Sequence, residues 1–142
     1  MTMMSLPSLR AVAIEARADR AARIRRNAAA FGVPALDIVE GEAPGALAKL
    51  MRPDAIFIGG GASDPGVLDA AVAALRPGGR LVVNAVTLAA DAVLLARHAG
   101  MGGELIRIAI SRAAPLGRSP DSESPMAWRP ALPVTQWTWV KP

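Results

Sequence analysis

The chain has 142 residues, 52% hydrophobic and 20% charged, which fits one globular domain with a real core and excludes dominant disorder. It carries no Cys and one His, His98, so disulfides, thiolate nucleophiles and multi-histidine metal sites are excluded together. The net charge is +4, but Arg10, Arg17, Arg20, Arg23, Arg25 and Arg26 are interleaved mainly with Ala rather than aromatics, which favours a solvated helix face over nucleic-acid binding.

Residues 1–8 are expected to be irregular. The apolar run Ala11-Val12-Ala13-Ile14 stops on Glu15 and reads as a buried parallel strand. A helix over 17–31 follows, with an apolar stripe at Ala21, Ile24, Ala28 and Phe31, ended by Gly32 and Pro34. Residues 36–39 form a second strand, closed by Glu40-Gly41-Glu42-Ala43-Pro44, and 45–51 a short helix. A third strand at 54–58 runs into Gly59-Gly60-Gly61. Asp64 then supplies an N-cap acceptor and Pro65 the first helical position of a helix reaching Leu75, before the turn Pro77-Gly78-Gly79. A strand at 80–84, a helix at 89–99 and a strand at 104–111 complete the alternation. That pattern predicts an α/β fold with a doubly wound, mostly parallel sheet in a single domain. The tail departs from it: 118–126 is Ser/Pro/Asp-rich and reads as a mobile loop, and 133–140 as a final antiparallel strand with two tryptophans.

No apolar stretch reaches the ~18 residues of a membrane span, and residues 1–9 lack the pattern of a signal peptide, so a cytoplasmic protein with no membrane partner is expected. Glu15 lies at the C-terminal end of a parallel strand, where open α/β sheets bind ligands, and could accept both hydroxyl protons of a ribose. The alternative is an exposed carboxylate paired with Arg17 or Arg20. Gly41 lets the next loop turn closely, Glu42 could accept from an exocyclic amine, and the Ala43 N–H could donate to a ring nitrogen. Together these are the contacts an adenine offers; an ordinary turn before a helix is the competing reading. Gly59 and Gly60 suit close backbone approach to a ligand better than a phosphate cradle, since the GxGxxG spacing is lacking. Asn84 either bonds a neighbour or faces a substrate. His98 reads as a helix-end residue, and no catalytic side chain stands out.

Read together, the runs at 11–15, Gly41-Glu42-Ala43-Pro44, Ile58-Gly59-Gly60, 75–85, 110–117 and Leu132-Pro133-Val134 resemble the C-terminal domain of the decarboxylating precorrin C(5,15)-methyltransferases and their stand-alone carbon-15 relatives. The resemblance implies a Rossmann-like class I methyltransferase fold, a three-layer sandwich that binds S-adenosylmethionine. Glu15 and the adjoining Ala16 match the acidic ribose ligand region, and Ala43 the adenine-loop backbone contact. The family's first strand and Gly-x-Gly-x-Gly loop are expected upstream of Leu9 and absent from this chain, with weak cofactor binding as the consequence. Methyl transfer to a precorrin ring carbon, with loss of an acetate side chain as carbon dioxide, is the implied reaction. The polycarboxylate tetrapyrrole would be held by Arg107, Arg112, Arg118 or Arg129. No metal is implied. A homo-oligomer is expected, because two strands would be left with open edges, and a second methyltransferase domain could accompany this one in the full-length protein. A NAD-binding oxidoreductase and a non-catalytic structural subunit are the alternatives, the first because Glu15 would serve a dinucleotide's ribose equally well.

Overall fold

The structure, a computed structural model, describes residues 10–116 and 124–142, which form two compact units divided between Met51 and Arg52. Residues 1–8, Arg118 and most of the expected loop at 118–126 lie outside the described residues.

In the first unit, β1 (Val12–Glu15) pairs in parallel with β2 (Asp37–Glu40), joined through helix α1 (Ala18–Ala30). The helix buries Ala21 and Ala28, small residues that allow close approach to the strands, whereas Phe31, expected in the same stripe, is 82% exposed. Phe31 caps the helix, and the chain turns away at Gly32, whose φ of +75° suits glycine. Instead of a helix over 45–51, a single 3₁₀ turn forms at Leu47–Lys49.

The second unit holds a four-stranded sheet of β3 (Ala55–Ile58), β4 (Arg80–Ala85), β5 (Glu104–Ile108) and β8 (Val134–Val140), in the order β3-β4-β8-β5. β3 and β4 are parallel, and β8 lies antiparallel between β4 and β5. Helices α2 (Val67–Ala74) and α3 (Leu88–Met101) make the crossovers β3–α2–β4 and β4–α3–β5. Both crossovers move across the sheet in the same direction, so right-handed connections put both helices on one face. The alternation agrees. Leu81, Val83 and Ala85 of β4 and Thr135, Trp137 and Trp139 of β8 are buried, as are Leu68, Ala71, Leu75 and Leu94 from the helical segments. On the opposite sheet face Phe57 is 64% exposed, and Val82, Asn84, Gln136 and Thr138 are half-buried.

Trp137 and Trp139 stack with ring centroids 6.3 Å apart, and the Trp137 indole N–H donates to the Gly102 carbonyl at 2.9 Å. Gly103, at φ +90°, lies where an added Cβ would strike the Thr138 carbonyl, so only glycine lets β5 begin this close to β8.

Three boundaries differ from the sequence expectation. Helix α2 starts at Val67, because Gly66 takes φ +78°, outside helical space, and Asp64 instead closes a turn with Gly61 (N–H to carbonyl, 3.0 Å). The strand expected over 104–111 divides after Ile108, opposite Val134, where β8 begins just beyond Pro133, which has no N–H to donate. The chain then enters a separate antiparallel ribbon of β6 (Ser111–Pro115) and β7 (Met126–Pro130), the latter starting at the residue where the expected loop ends.

Candidate functional site

The C-terminal ends of β1 and β2 carry the candidate cofactor residues. Glu15 and Glu40 are register partners, and the Gly41 N–H donates to the Glu15 carbonyl at 3.1 Å. Glu15, Ala16 and the loop Gly41-Glu42-Ala43-Pro44 therefore share one strand-end edge. Glu15 as a residue is half-buried, and its Oε1 accepts the Arg17 backbone N–H at 3.0 Å, which orients the group and leaves Oε2 open. This backbone contact replaces the guanidinium pairing that was the alternative: the Arg17 side chain goes to Asp19, at 2.9 Å. That hydrogen bond and ion pair raise the Arg17 pKa, and the same hydrogen bond holds the Asp19 carboxyl below its usual range.

The loop is fixed at its far end, where the Ala46 N–H donates to the Glu42 carbonyl at 2.9 Å and Ala46 is buried. A Cβ at Gly41 would stand 3.3 Å from that of Ala46, tighter than ordinary contact, so a larger residue would push the loop. Among the described residues the Glu42 and Ala43 N–H groups have no acceptor. The edge thus offers a carboxylate oxygen for hydroxyl donors and backbone donors for a ring acceptor. Those groups fit an adenosine, with hydroxyls at one end and a nitrogen heterocycle at the other. On the flank, Arg25 pairs with Glu40 at 2.6 Å and Arg10 with Asp37 at 3.2 Å.

The remaining candidates belong to the second unit. Gly59 and Gly60 follow β3 and are exposed; a Cβ at Gly60 would meet nothing, so space does not demand glycine there. Asn84, one residue past the Ile58–Val83 register pair, accepts from the Gln136 side chain at 2.9 Å across the β4–β8 pairing. Arg107 lies beside helix α3, 3.4 Å from Asp91 and 3.5 Å from the Thr135 hydroxyl, at a hollow of about 220 Å³. A second hollow of about 290 Å³ lies over Ala28, Pro34 and Ile38; neither is lined by Glu15 or the 41–44 loop. His98, in the last turn of α3, keeps its Nδ1 buried without a partner among the described residues.

Arg112 and Arg129 come together in a way sequence reading did not anticipate: they are register partners across the β6–β7 ribbon. The signal was two five-residue segments, Ser-Arg-Ala-Ala-Pro and Met-Ala-Trp-Arg-Pro, flanking a Ser/Pro/Asp-rich stretch. Among the described residues, no helix is long and apolar enough to cross a membrane, and no cluster of three metal-ligating side chains occurs.

The family model for a precorrin methyltransferase domain matches residues 2–141. A precorrin-6Y C(5,15)-methyltransferase [decarboxylating] from a Sinorhizobium species is 58% identical over 98% of this chain. The chain spans only 32% of that relative's length. Among solved structures, the C-terminal domain of precorrin-6Y C5,15-methyltransferase from Rhodobacter capsulatus is 42% identical, with a TM-score of 0.80 over 93% of this chain and 68% of that one. A targeted domain of the same description from Corynebacterium diphtheriae is 41% identical, with a TM-score of 0.84 over 94% of this chain and 76% of that one. An O-methyltransferase from Bacillus cereus in complex with SAH, 16% identical at a TM-score of 0.58, shares the fold alone. These names lend no support to the oxidoreductase or the non-catalytic subunit. With the β8 strand antiparallel between β4 and β5 and the family model matching almost end to end, the chain belongs to the precorrin methyltransferase domain family and has the class I methyltransferase fold.

Proposed function

We propose that this chain is the S-adenosylmethionine-binding domain of a decarboxylating precorrin methyltransferase of cobalamin biosynthesis, working in the cytoplasm. The observation that carries the cofactor assignment is the Gly41 N–H to Glu15 carbonyl bond, which sets a strand-end carboxylate beside a loop with open backbone donors. Glu15, held by the Arg17 N–H, accepts the ribose hydroxyls through its open oxygen. Glu42 and the Ala43 N–H take the adenine edge, and Ala16 and Gly41 keep the backbone close. Within the second unit, Gly59 and Gly60 are a separate candidate for close backbone approach to a ligand, and Asn84 lies on the neighbouring strand β4.

When bound, S-adenosylmethionine supplies an electrophilic methyl group. Displacement at that carbon mainly requires alignment, so the chain contributes positioning rather than a nucleophile. That agrees with a sequence that has no Cys and no Tyr. The acceptor is a precorrin ring carbon. Loss of the acetate carboxyl as carbon dioxide leaves its electron pair in the conjugated macrocycle, where a proton then adds.

Calorimetric titration of the chain with S-adenosylhomocysteine and with NAD tests the cofactor reading. Replacing Glu15 by Gln should weaken S-adenosylhomocysteine binding about 10- to 100-fold, the worth of roughly one hydrogen bond to a charged acceptor, since the amide oxygen still accepts the other. NAD binding of equal strength, or an E15Q variant that binds like the parent, would overturn it.

A further inference from the structure

Glu15 does not stand alone at its strand end. Glu40 is its register partner on β2, so the two carboxylates project from the same face of strands that run about 4.8 Å apart. Like charges set side by side on neighbouring strands repel. Glu42 adds a third carboxylate two residues further along the chain. Of these three, Glu40 alone has an ion pair among the described residues: the Arg25 Nη2 donates to its Oε1 at 2.6 Å. Arg25 lies one turn from the buried Ala21 and Ala28, on the side of α1 that meets the strands. The other arginines within α1, Arg20, Arg23 and Arg26, make no ion pair among the described residues. The one arginine of the helix that is paired is thus spent on the carboxylate beside Glu15.

We propose that Arg25 is a positioning residue for the cofactor site: by neutralising Glu40 it removes the repulsion on Glu15 and keeps that carboxylate on the Arg17 N–H, with its second oxygen free for the ribose. This inference rests on the adenosine reading of Glu15 and adds the residue that holds Glu15 in place. Arg25 acts through Glu40 and needs no contact with the ligand. Without it, the Glu40 charge pushes the Glu15 carboxylate off its 3.0 Å bond to the Arg17 N–H, and the side chain must be ordered again when a ribose binds. A plain brace between α1 and β2 is the other role open to an ion pair at this place, and the two roles differ in one respect. A brace is lost when either partner is removed, whereas compensation is no longer needed once Glu40 is neutral as well.

Calorimetric titration of the full chain with S-adenosylhomocysteine separates them. Arg25→Gln should weaken binding about two- to fivefold at low salt, the range of an exposed ion pair. The loss should vanish at about 1 M salt, where charges are screened within about 3 Å. Arg25→Gln combined with Glu40→Gln should restore the parent affinity. Arg26→Gln removes the same charge one residue away and should leave binding unchanged. A second readout needs no ligand. In the ¹⁵N-labelled free chain the Arg17 amide proton should move upfield in Arg25→Gln, as its bond to Glu15 loosens, and return in the double variant. An Arg25→Gln variant that matches the parent in affinity and in the Arg17 amide, a double variant as weak as the single one, or an equal loss in Arg26→Gln would overturn the proposal. An E15Q variant that binds like the parent, while the Arg17 amide responds as described, would sink the cofactor reading and leave the link from Arg25 through Glu40 to Glu15 standing.

Discussion

Glu15 does two jobs with one carboxylate. One oxygen accepts the Arg17 N–H ahead of α1, where helix donors lack intrahelical partners, and the other stays open at the strand end. A shorter Asp at this position would not reach both, so Glu15→Asp should weaken S-adenosylhomocysteine binding nearly as much as Glu15→Gln. Asn84 is a different case. Its side-chain oxygen is taken by Gln136 within the sheet, so removing it breaks a cross-strand bond. Asn84→Ala should cost about 1 kcal/mol in urea denaturation and leave cofactor affinity unchanged. A cofactor affinity that falls by an order of magnitude with stability intact would assign Asn84 to the ligand instead. At this scale the Glu15 and 41–44 positions were legible because a strand-end carboxylate and a Gly-containing loop each announce themselves locally. The Asn84–Gln136 partnership was not, since it joins residues 52 apart and depends on register.

At the scale of elements, helix α2 and the C-terminal tail are locked together. The Lys141 ammonium donates to the carbonyls of Val72, Ala73 and Leu75 at 2.8, 3.1 and 2.8 Å, satisfying acceptors that a helix C-terminus leaves open. Lys141 also pairs through its backbone with Gly78 and Gly79. Replacing Lys141 by Met keeps the stem and removes the donors, and should cost about 1.5–3 kcal/mol in equilibrium unfolding; an unchanged midpoint would show that water serves those carbonyls equally well. The α/β alternation was readable because most of the apolar runs and helical stripes are bounded on at least one side by Gly or Pro, and the first run stops on the charged Glu15. The division of the expected strand at 104–111 was not readable. It depends on where β8, 26 residues further on in the Ile108–Val134 pair, starts to pair. The ribbon strands escaped for a related reason: Ser-Arg-Ala-Ala-Pro has no period-two apolar pattern, and its partner's Trp128 is 75% exposed.

At the scale of the molecule, strands β1 and β3 end their respective sheets, and Phe57 on β3 is largely exposed. Edge strands with unpaired backbone groups invite pairing with another chain. Sedimentation velocity should therefore show species heavier than a monomer, and charged substitution on β3 (Phe57→Lys) should shift the distribution toward monomer. A parent chain that runs as a single monomer at all concentrations would contradict this. The central claim remains that adenosine binds at the C-terminal ends of β1 and β2. Amide chemical-shift mapping of the ¹⁵N-labelled chain with S-adenosylhomocysteine tests it most directly, because it detects even weak binding and reports where it occurs. The account predicts shifts concentrated at Glu15, Ala16, Gly41, Glu42 and Ala43. Shifts centred instead on the Asp91–Arg107–Thr135 hollow, or none at millimolar ligand, would contradict it.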